Sequence, residues 1–303
     1  MITKSTATCS GPYFCFNKKQ VLIRYLIRLI DWILFTSVFA ACCAVGLCMA
    51  SERLLINKIP PLFILLHTLV FGSTLMVYNA HYIFKRSKPQ VSDRFDWSKY
   101  HKIWHYLFLS IGVILCGVSL LFLPMRIFTA CIILGFLSFA YSLPLLPFKN
   151  KRRIREFGWV KILVLASVWT IVTSVLPMLF WAKELSNYPF EILIRFVFMF
   201  ILCVAFDIRD MQTDMDSDIY TLPNLIGECN SYRLMNSMLL LFVLLSIIQY
   251  TRYPSVSRLD AQIFTSAGTY WAIRYTRKYP SDRAYLALVD GMMLVYAILI
   301  LLQ

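Results

Sequence analysis

Charged residues are scarce in this chain, and their scarcity excludes a soluble domain. Only 15% of the 303 residues are charged, whereas 59% are hydrophobic, and the apolar residues come in long blocks. A composition of this kind is typical of a protein that crosses a membrane several times. The length allows one helical bundle and leaves no room for a large soluble domain. We therefore predict a single transmembrane domain over residues 1–303.

The nine cysteines lack the spacing of a disulfide framework or of a metal site. Their number is odd, most lie in apolar runs, and no Cys-x-x-Cys occurs. We interpret them as buried thiols. The start of the chain also lacks a small-residue cleavage site at the distance expected of a secretory signal. We expect residues 1–20 to be a short cytoplasmic segment before an uncleaved first helix.

Acidic residues are scarce as well, since 16 Asp and Glu stand against 30 Lys and Arg, giving a net charge of +14. In a membrane protein such an excess first indicates topology. Most of the basic residues fall in the N-terminal segment and in the loops after the second, fourth, sixth and eighth apolar runs. We expect this side to face the cytoplasm of a bacterial membrane, and we expect a lipid bilayer, not nucleic acid, as the partner.

The apolar runs predict an all-α polytopic membrane bundle of about nine transmembrane helices, because each run is long enough, or nearly so, to span a bilayer. Their length excludes buried strands. Arg195, near the start of the sixth run, is expected to extend its side chain to the membrane interface. The predicted spans are 21–49, 60–84, 104–123, 126–143, 160–182, 190–207, 234–250, 261–275 and 284–302.

Carboxylates follow directly on the sixth apolar run. Asp207, Asp210 and Asp214 are spaced three and four residues apart, so on a continuing helix they share one face. Carboxylates that border hydrocarbon mark functional sites. Oxygen ligands of this kind suit Mg²⁺, which shares its shell with substrate phosphates. A solvated acidic loop with helix-capping residues is the alternative interpretation.

A second polar segment ends the second predicted span, on the same side of the membrane as Asp207. It contains Tyr78, Asn79, His81 and Tyr82, which together either line a pocket or form an aromatic belt with a basic anchor. The segment Asp93-Arg94-Phe95-Asp96 in the following loop offers carboxylates, but such charge pairs are common in solvated turns, and we interpret it as one.

A third polar segment follows the fourth span. Pro144 and Pro147 end that helix, and a basic loop leads from Lys149 to Lys161 at the opening of the fifth helix. Lysines in these positions are candidates for binding a diphosphate. Anchoring of a cytoplasmic loop by positive charge is the alternative interpretation.

With these segments in order, the chain resembles the UbiA superfamily of intramembrane prenyltransferases over nearly its whole length. Asp207-x-x-Asp210-x-x-x-Asp214, followed by residues 221–227, is similar to the second aspartate motif of that family and the restart of the next helix. Tyr141-Ser142-x-Pro144 with Lys149 looks like the loop after its fourth helix. The ordered set carries the resemblance, since Tyr-Ser-x-Pro alone is a weak signal.

The first aspartate motif of the family, Asn-Asp-x-x-Asp-x-x-x-Asp, is not preserved. Asn79 is retained, but Ala80, Ile83 and Ser87 stand where the aspartates should be. The resemblance therefore implies one Mg²⁺ on the second motif. The basic side chains of Lys85, Arg86 and Lys149 would replace the charge of the other metal. A fixed guanidinium or ammonium group can stand opposite phosphate in place of a metal ion.

The resemblance implies an enzyme that transfers a prenyl group from a polyprenyl diphosphate to a lipid-soluble, aromatic acceptor, with Mg²⁺ as cofactor. Asp207, Asp210 and Asp214 would be the catalytic residues and metal ligands. The implied substrate-binding residues are Asn79, Lys149, Lys161, Arg209, Tyr141 and Arg86. Aromatic candidates for stabilising an allylic cation are Tyr78, Tyr82, Tyr141, Trp169 and Phe206.

Two other functions stay open at this point. Because the first motif is lost, the alternative interpretation is a non-catalytic isoprenoid- or quinone-binding membrane protein descended from such enzymes. A secondary transporter needs ionisable groups or broken helices near the midplane of the bilayer. Only Asp31 and Asp290 lie well inside apolar runs, and no pair of Gly/Pro-interrupted spans indicates transport.

Overall fold

The computed structural model describes residues 18–62, 64–84, 92–142, 158–216 and 219–303 of the chain. Within these ranges the side chains of residues 18–21, 138–142 and 158 are left undescribed. Three of the predicted substrate-binding positions are affected. Arg86 and Lys149 lie outside the described residues, and for Tyr141 only the backbone, inside a helix, is described.

The first part of the chain is a series of helices built from the predicted apolar runs, except for α4, which forms where a solvated turn is expected at residues 93–96. They are α1 (Lys18–Phe35), α2 (Val38–Ile56), α3 (Leu65–Phe84), the short α4 (Asp93–Tyr100), α5 (Lys102–Phe122) and α6 (Met125–Ser142). The link between α5 and α6 is as short as the sequence predicts, and Pro124 lies inside it.

The remaining part of the chain continues the bundle. It contains α7 (Gly158–Thr170), a π-helical turn (Ile171–Val175), α8 (Leu176–Phe180), a 3₁₀ turn (Leu185–Asn187), α9 (Pro189–Arg209), α10 (Met211–Asp216), a two-residue strand (Tyr220–Thr221), α11 (Leu222–Ile226), α12 (Glu228–Arg252), α13 (Val256–Lys278), α14 (Asp282–Ala284), a second π-helical turn (Tyr285–Val289) and α15 (Gly291–Leu301).

Six helical segments among the described residues are long and apolar enough to cross a membrane. They are Val38–Ile56, Lys102–Phe122, Trp159–Phe180, Pro189–Arg209, Glu228–Arg252 and Asp282–Leu301. Met125–Leu137 is a shorter apolar helix. The structure therefore confirms an all-helical, polytopic membrane bundle, while the predicted number of about nine spans stays a prediction.

The first predicted span, 21–49, is wrong as one continuous helix. The helix is interrupted at Thr36 and Ser37, where Ser37 adopts a left-handed backbone conformation with a φ of 66°. The break is stabilised from outside, because the Arg94 guanidinium donates to Ser37 Oγ at 2.8 Å and to the Phe35 carbonyl at 3.3 Å. Thr36 Oγ1 donates back to the Trp32 carbonyl at 2.6 Å. Polar groups at a helix break are thereby satisfied inside the bundle.

Arg195 does not extend to the membrane interface, which corrects the prediction from its position near a helix start. Its side chain lies inside the bundle with 3% of its surface exposed. The guanidinium donates to Ser174 Oγ at 3.3 Å and to Ser51 Oγ at 3.2 Å, and it lies 4.7 Å from the Tyr296 ring centroid. The hydroxyls of Ser51 and Ser174 accept hydrogen bonds from the guanidinium, and the face of the Tyr296 ring attracts its charge. Together they replace the water and headgroups that an arginine meets at the membrane interface.

Helix packing is closest between α3 and α5, where two glycines face each other. A Cβ placed on Gly72 would lie 2.8 Å from Leu115 Cβ, and a Cβ placed on Gly112 would lie 2.7 Å from the Gly72 carbonyl oxygen. Small residues allow such close backbone approach in membrane bundles, where dispersion contacts replace the hydrophobic effect. Elsewhere α2 packs on α15, and α9 packs between α7 and α12.

We predict that Gly112→Ala lowers the free energy of unfolding by about 1–3 kcal/mol, because the added methyl group forces α3 and α5 apart. The measurement is the thermal unfolding of the full chain in detergent micelles. Gly117→Ala, on the same helix, is the matched control, since a Cβ there meets nothing within 4 Å. The control should be neutral or slightly stabilising, because alanine favours helix more than glycine. Equal losses in both variants would contradict this packing.

Candidate active site

Asp207 and Asp214 share one lysine where α7, α9 and α10 meet. Lys161 Nζ lies 2.8 Å from Asp207 Oδ1 and 3.0 Å from Asp214 Oδ2. Lys161 stands in the first turn of α7, whereas Asp207 belongs to the last turn of α9. The helix ends at Arg209 and restarts at Met211, which interrupts the continuous helix expected through Asp214, yet both carboxylates reach the same ammonium. Asp207 is 3% exposed, so this pairing takes place in the interior.

Asp210 turns to a different cation. Its two carboxylate oxygens accept from Arg209 Nε at 2.8 Å and from Arg209 Nη2 at 3.1 Å. The same guanidinium lies over the Phe206 ring at 4.9 Å and 3.7 Å from an oxygen of Asp282. The three aspartates are thus divided between an ammonium group and a guanidinium group, and they do not converge on one point.

Several buried polar atoms around this cluster make no hydrogen bond within the described ranges. Among them are Asp207 Oδ2, Arg209 Nη1, Thr221 Oγ1 and Asn224 Oδ1. The Asn224 amide nitrogen holds the chain after α10 by donating to the carbonyls of Met211 and Ile219, each at 3.3 Å. An orphaned buried acceptor beside orphaned donors is costly unless a ligand, ion or water completes it.

The residues present fit a divalent cation that binds oxygen. Asp207 and Asp214 already hold one positive charge between them, and Asp207 Oδ2 is a buried carboxylate oxygen without a hydrogen bond in the described part of the chain. Mg²⁺ takes one or two protein carboxylates and completes its shell with water and phosphate oxygens. An ion bound by Asp207 and Asp214 would have to displace the Lys161 ammonium, which now lies between the two carboxylates.

Asn79 braces helices in this structure. Its amide nitrogen donates to the Thr36 carbonyl at 3.1 Å and to the Leu75 carbonyl at 2.9 Å. Its oxygen lies 2.7 Å from His105 Nδ1, and the other ring nitrogen of His105 lies 3.0 Å from Ser98 Oγ. Asn79 is fully buried, and both amide hydrogens are used. The predicted contact of Asn79 with a metal shell or a diphosphate stays a prediction.

Arg94 enters the same end of the bundle, which sequence reasoning missed. The segment 93–96 looked like a solvated turn, and Asp93 does pair with Arg283 at 3.1 Å. Arg94, by contrast, is 6% exposed and lies 4.4 Å from the Tyr82 ring centroid. Tyr82 is also within electrostatic reach of Arg209 and Asp210. The ends of α3 and α9 therefore meet on one side, and no local signal marks Arg94 as buried.

Asp290 is a second residue that the site gains from the fold. It stands between the second π-helical turn and α15, and its backbone oxygen accepts from Cys43 Sγ at 3.5 Å. Its charge interacts with those of Arg94 and Arg209. The side chain is half-buried, and its carboxylate makes no hydrogen bond or ion pair with any described residue. Asp31, the other acid inside an apolar run, pairs with Arg283 at 2.6 Å.

The predicted aromatic residues with described side chains lie near these charges. Tyr78 pairs edge-on with Trp169, with ring centroids 6.4 Å apart, and Phe206 lies 6.0 Å from Tyr285. Tyr78 is also within electrostatic reach of Asp290 and Arg94. Aromatic faces beside buried cations and carboxylates form an interior that is apolar with a few polar groups, which is typical of small-molecule sites.

Solved structures with the same fold support the assignment of this architecture. A UbiA homolog from Archaeoglobus fulgidus bound to GPP and Mg²⁺ has a TM-score of 0.62 at 10% identity, covering 90% of this chain and 100% of that one. The same homolog bound to DMAPP and Mg²⁺ gives 0.58 at 10% identity, covering 89% and 99%. A digeranylgeranylglyceryl phosphate synthase gives 0.54 at 16% identity, covering 90% and 97%. No protein-family model and no curated sequence matches the chain.

We predict that Lys161→Gln destabilises the protein by about 3 kcal/mol, because it leaves the buried Asp207 carboxylate without its counter-charge. The double variant Lys161→Gln/Asp207→Asn should regain part of this loss, since it removes the uncompensated charge. Thermal unfolding in detergent measures both variants. Lys58→Gln, at an exposed position, is the control and should leave stability unchanged. A double variant less stable than Lys161→Gln alone would contradict the assigned ion pair.

Proposed function

We propose that the chain, which has the UbiA fold, is an intramembrane prenyltransferase that uses Mg²⁺. It would transfer a prenyl group from a polyprenyl diphosphate to a lipid-soluble aromatic acceptor. The observation that carries the proposal is the Asp207–Lys161–Asp214 cluster. It lies beside the Arg209 guanidinium at the end of the bundle that we expect to face the cytoplasm.

The protein's own residues supply positive charge for the diphosphate. Lys161 and Arg209 stand at the aspartates, and Arg94 lies across from them beside Tyr82. Asp207 and Asp214 would hold Mg²⁺, whose charge stabilises the leaving diphosphate when the ion is bound. We include Lys149 and Arg86, which lie outside the described residues, as further phosphate ligands by position. Tyr141, with an undescribed side chain, remains a substrate-binding candidate.

Asn79 would act as a positioning residue in this enzyme. It ties α3 to the break between α1 and α2 and, through His105, to α5. Arg94 stabilises the same break through Ser37 and Phe35. The retained asparagine of the first motif would thus help to keep Arg94 in place, and Arg94 would supply a protein cation in a chain that lacks the first-motif aspartates.

Fixed cations in place of a metal explain how a site without the first aspartate motif remains suited to an anion. Carboxylates repel a diphosphate unless a metal lies between them, whereas a guanidinium attracts it directly and donates hydrogen bonds. Ala80 and Ile83 provide no ligands, so Arg94 can face the phosphate without competing carboxylates on α3.

We predict that a non-hydrolysable thio analogue of a prenyl diphosphate binds the full-length protein in a Mg²⁺-dependent manner. Asp207→Asn should weaken this binding by about tenfold or more, because the loss of a direct ligand costs at least as much as the loss of a supporting partner. Asp216→Asn is the matched control, since Asp216 is an exposed aspartate on α10. Binding by equilibrium dialysis, with and without a chelator, measures the effect.

Each other outcome of this experiment has a distinct meaning. Binding that ignores both Mg²⁺ and Asp207→Asn would contradict the metal site and leave the protein cations as the sole anchor. An absence of analogue binding would overturn the transferase and favour the non-catalytic isoprenoid- or quinone-binding protein. The aspartates' engagement by Lys161 and Arg209 within the protein is the observation that favours this second function.

Asp290 is our candidate for the proton acceptor in the reaction. The allylic C–O bond of the donor breaks with its electron pair going to the diphosphate. The acceptor then forms a bond to the allylic carbon and loses a proton, which the carboxylate of Asp290 takes up. A half-buried carboxylate without a hydrogen-bonding partner among the described residues, in an interior lined by Tyr78 and Cys203, suits this role better than the ion-paired aspartates.

We predict that Asp290→Asn keeps Mg²⁺-dependent binding of the thio analogue but lowers kcat for transfer to a phenolic acceptor by about 10²-fold or more, because it removes a general base. The KM for the donor should stay near that of the wild type. Asp31→Asn is the comparison, since Asp31 pairs with Arg283 and serves structure. A loss of analogue binding in Asp290→Asn would contradict the proposed role.

A further inference from the structure

A second group of ligand-type side chains lies at the opposite end of the bundle from the aspartates. Cys48 and Glu52 stand one turn apart on α2, and His67 faces them from the first turn of α3. One ligand atom from each of the three lies within 4.8 Å of the other two. Cys48 and Glu52 have no exposed surface, and His67 has 3%. We refer to these residues as the Cys48–Glu52–His67 cluster.

The position of the cluster separates it from the proposed prenyl-transfer site. Glu52 contacts Trp181, at the end of α8, and Cys48 is within electrostatic reach of Arg195 near the start of α9. Asp207 stands at the other end of α9, about 18 Å from Arg195 along the helix axis. The two sites therefore lie towards opposite ends of α9, and the aspartates cannot belong to this cluster.

The carboxylate of Glu52 is held in place from both sides. His67 Nε2 lies 2.5 Å from Glu52 Oε2, and Trp181 Nε1 donates to Glu52 Oε1 at 2.8 Å. A hydrogen bond to the second oxygen of a carboxylate is the outer contact that orients a metal ligand. Three separate elements, α2, α3 and the end of α8, thus position one carboxylate oxygen and one imidazole nitrogen side by side.

The Cys48 thiol distinguishes this cluster from a simple Glu–His pair. It lies next to the pair, yet it makes no hydrogen bond with any described residue. The charge of Arg195 acts on Cys48, and Arg195 Nη1 has no hydrogen-bond partner in the described part of the chain. The thiolate is the form that binds metals and burial opposes it, so the ion itself must displace the thiol proton.

We propose that the Cys48–Glu52–His67 cluster binds Zn²⁺ through Cys48 Sγ, Glu52 Oε2 and His67 Nε2, with water at the fourth position. Sulfur, nitrogen and oxygen ligands together suit Zn²⁺ and disfavour Mg²⁺ or Ca²⁺, which prefer all-oxygen sites. Binding displaces the thiol proton and the proton shared by Glu52 and His67, and both leave to solvent. The two negative ligands then neutralise the ion.

The ion would tie α2 to α3 at this end of the bundle. The connection from Asn57 to Ile64 otherwise has no regular structure over its described residues. Ligand atoms on a shared zinc lie about 3–4 Å apart. His67 Nε2 and Glu52 Oε2, now 2.5 Å apart, would therefore have to separate slightly, and all three ligand atoms already lie within 4.8 Å of one another. The site would therefore have a structural effect that is separate from prenyl transfer.

The test is titration of the metal-depleted, full-length protein in detergent with Co²⁺, which replaces Zn²⁺ and reports its ligands by absorption. Wild type should develop a thiolate-to-cobalt band in the near ultraviolet at about one ion per chain, and Zn²⁺ should abolish it. Cys48→Ser should lose the band. Cys116→Ser removes another buried cysteine, one that lies outside the cluster, and should keep the band.

Two further measurements keep the proposal open to contradiction if a cluster variant folds poorly. Wild type should melt at a higher temperature with Zn²⁺ than with a chelator, and Asp207→Asn should retain both this shift and the cobalt band. A wild type without the band, or a band of equal strength in Cys48→Ser, would overturn the zinc site. A band that disappears in Asp207→Asn would place the ion at the aspartates instead.

Discussion

The interaction on which the bundle depends is the bridge that Lys161 forms between Asp207 and Asp214. A carboxylate deep in a membrane protein is costly unless a counter-charge and hydrogen bonds accompany it. Lys161 provides both, and to do so α7 must begin where α9 ends. The close packing of α7 on α9 places Trp169, on the next turns of α7, against Tyr78 of α3. The geometry of the proposed cavity thus follows from one ion-paired cluster.

The same constraint recurs at both ends of the molecule. Asp31 and Arg283 pair at one end, and Glu191 pairs with Arg258 at the other. Hydroxyls and amides extend these pairs, as Gln249 does by donating to Glu191 at 2.8 Å. In lipid, a polar side chain has no water to turn to, so it bonds either to its own helix, as Thr36 does to Trp32, or to a partner on another helix. Apolar packing alone would allow several arrangements of the helices. The polar contacts decide which helices are neighbours.

The two ends differ in what their polar groups offer a ligand. The end with Asp207 combines aspartates with arginine, lysine and aromatic rings, which is suited to an anion that carries a metal and an apolar chain. The opposite end combines a thiol, an imidazole and a carboxylate, which is suited to a softer cation. The chain shares its fold with solved UbiA homologs, and the second arrangement follows from the way α2 and α3 bring Cys48, Glu52 and His67 together.

Run length and helical spacing could be predicted from the sequence, because both are properties of a single helix. An apolar run must become a helix in lipid to satisfy its backbone, and Asp207 and Asp214 would share a face on a continuous helix, although the helix here ends at Arg209 and restarts at Met211. The sequence alone thus determined the all-α bundle, the acidic segment after the sixth run and the resemblance of its motifs. It did not determine where polar groups at different sequence positions meet.

Only the tertiary structure decided the break at Thr36 and Ser37, because the group that satisfies it, Arg94, is distant in the sequence. For the same reason Arg195, which a helix-start position would send to the interface, lies against Ser51 and Ser174. Cys48 and His67 are separated by a loop and by no recognisable spacing, so their proximity is invisible in the sequence. Contacts between helices depend on packing angles and depth, and a linear pattern encodes neither.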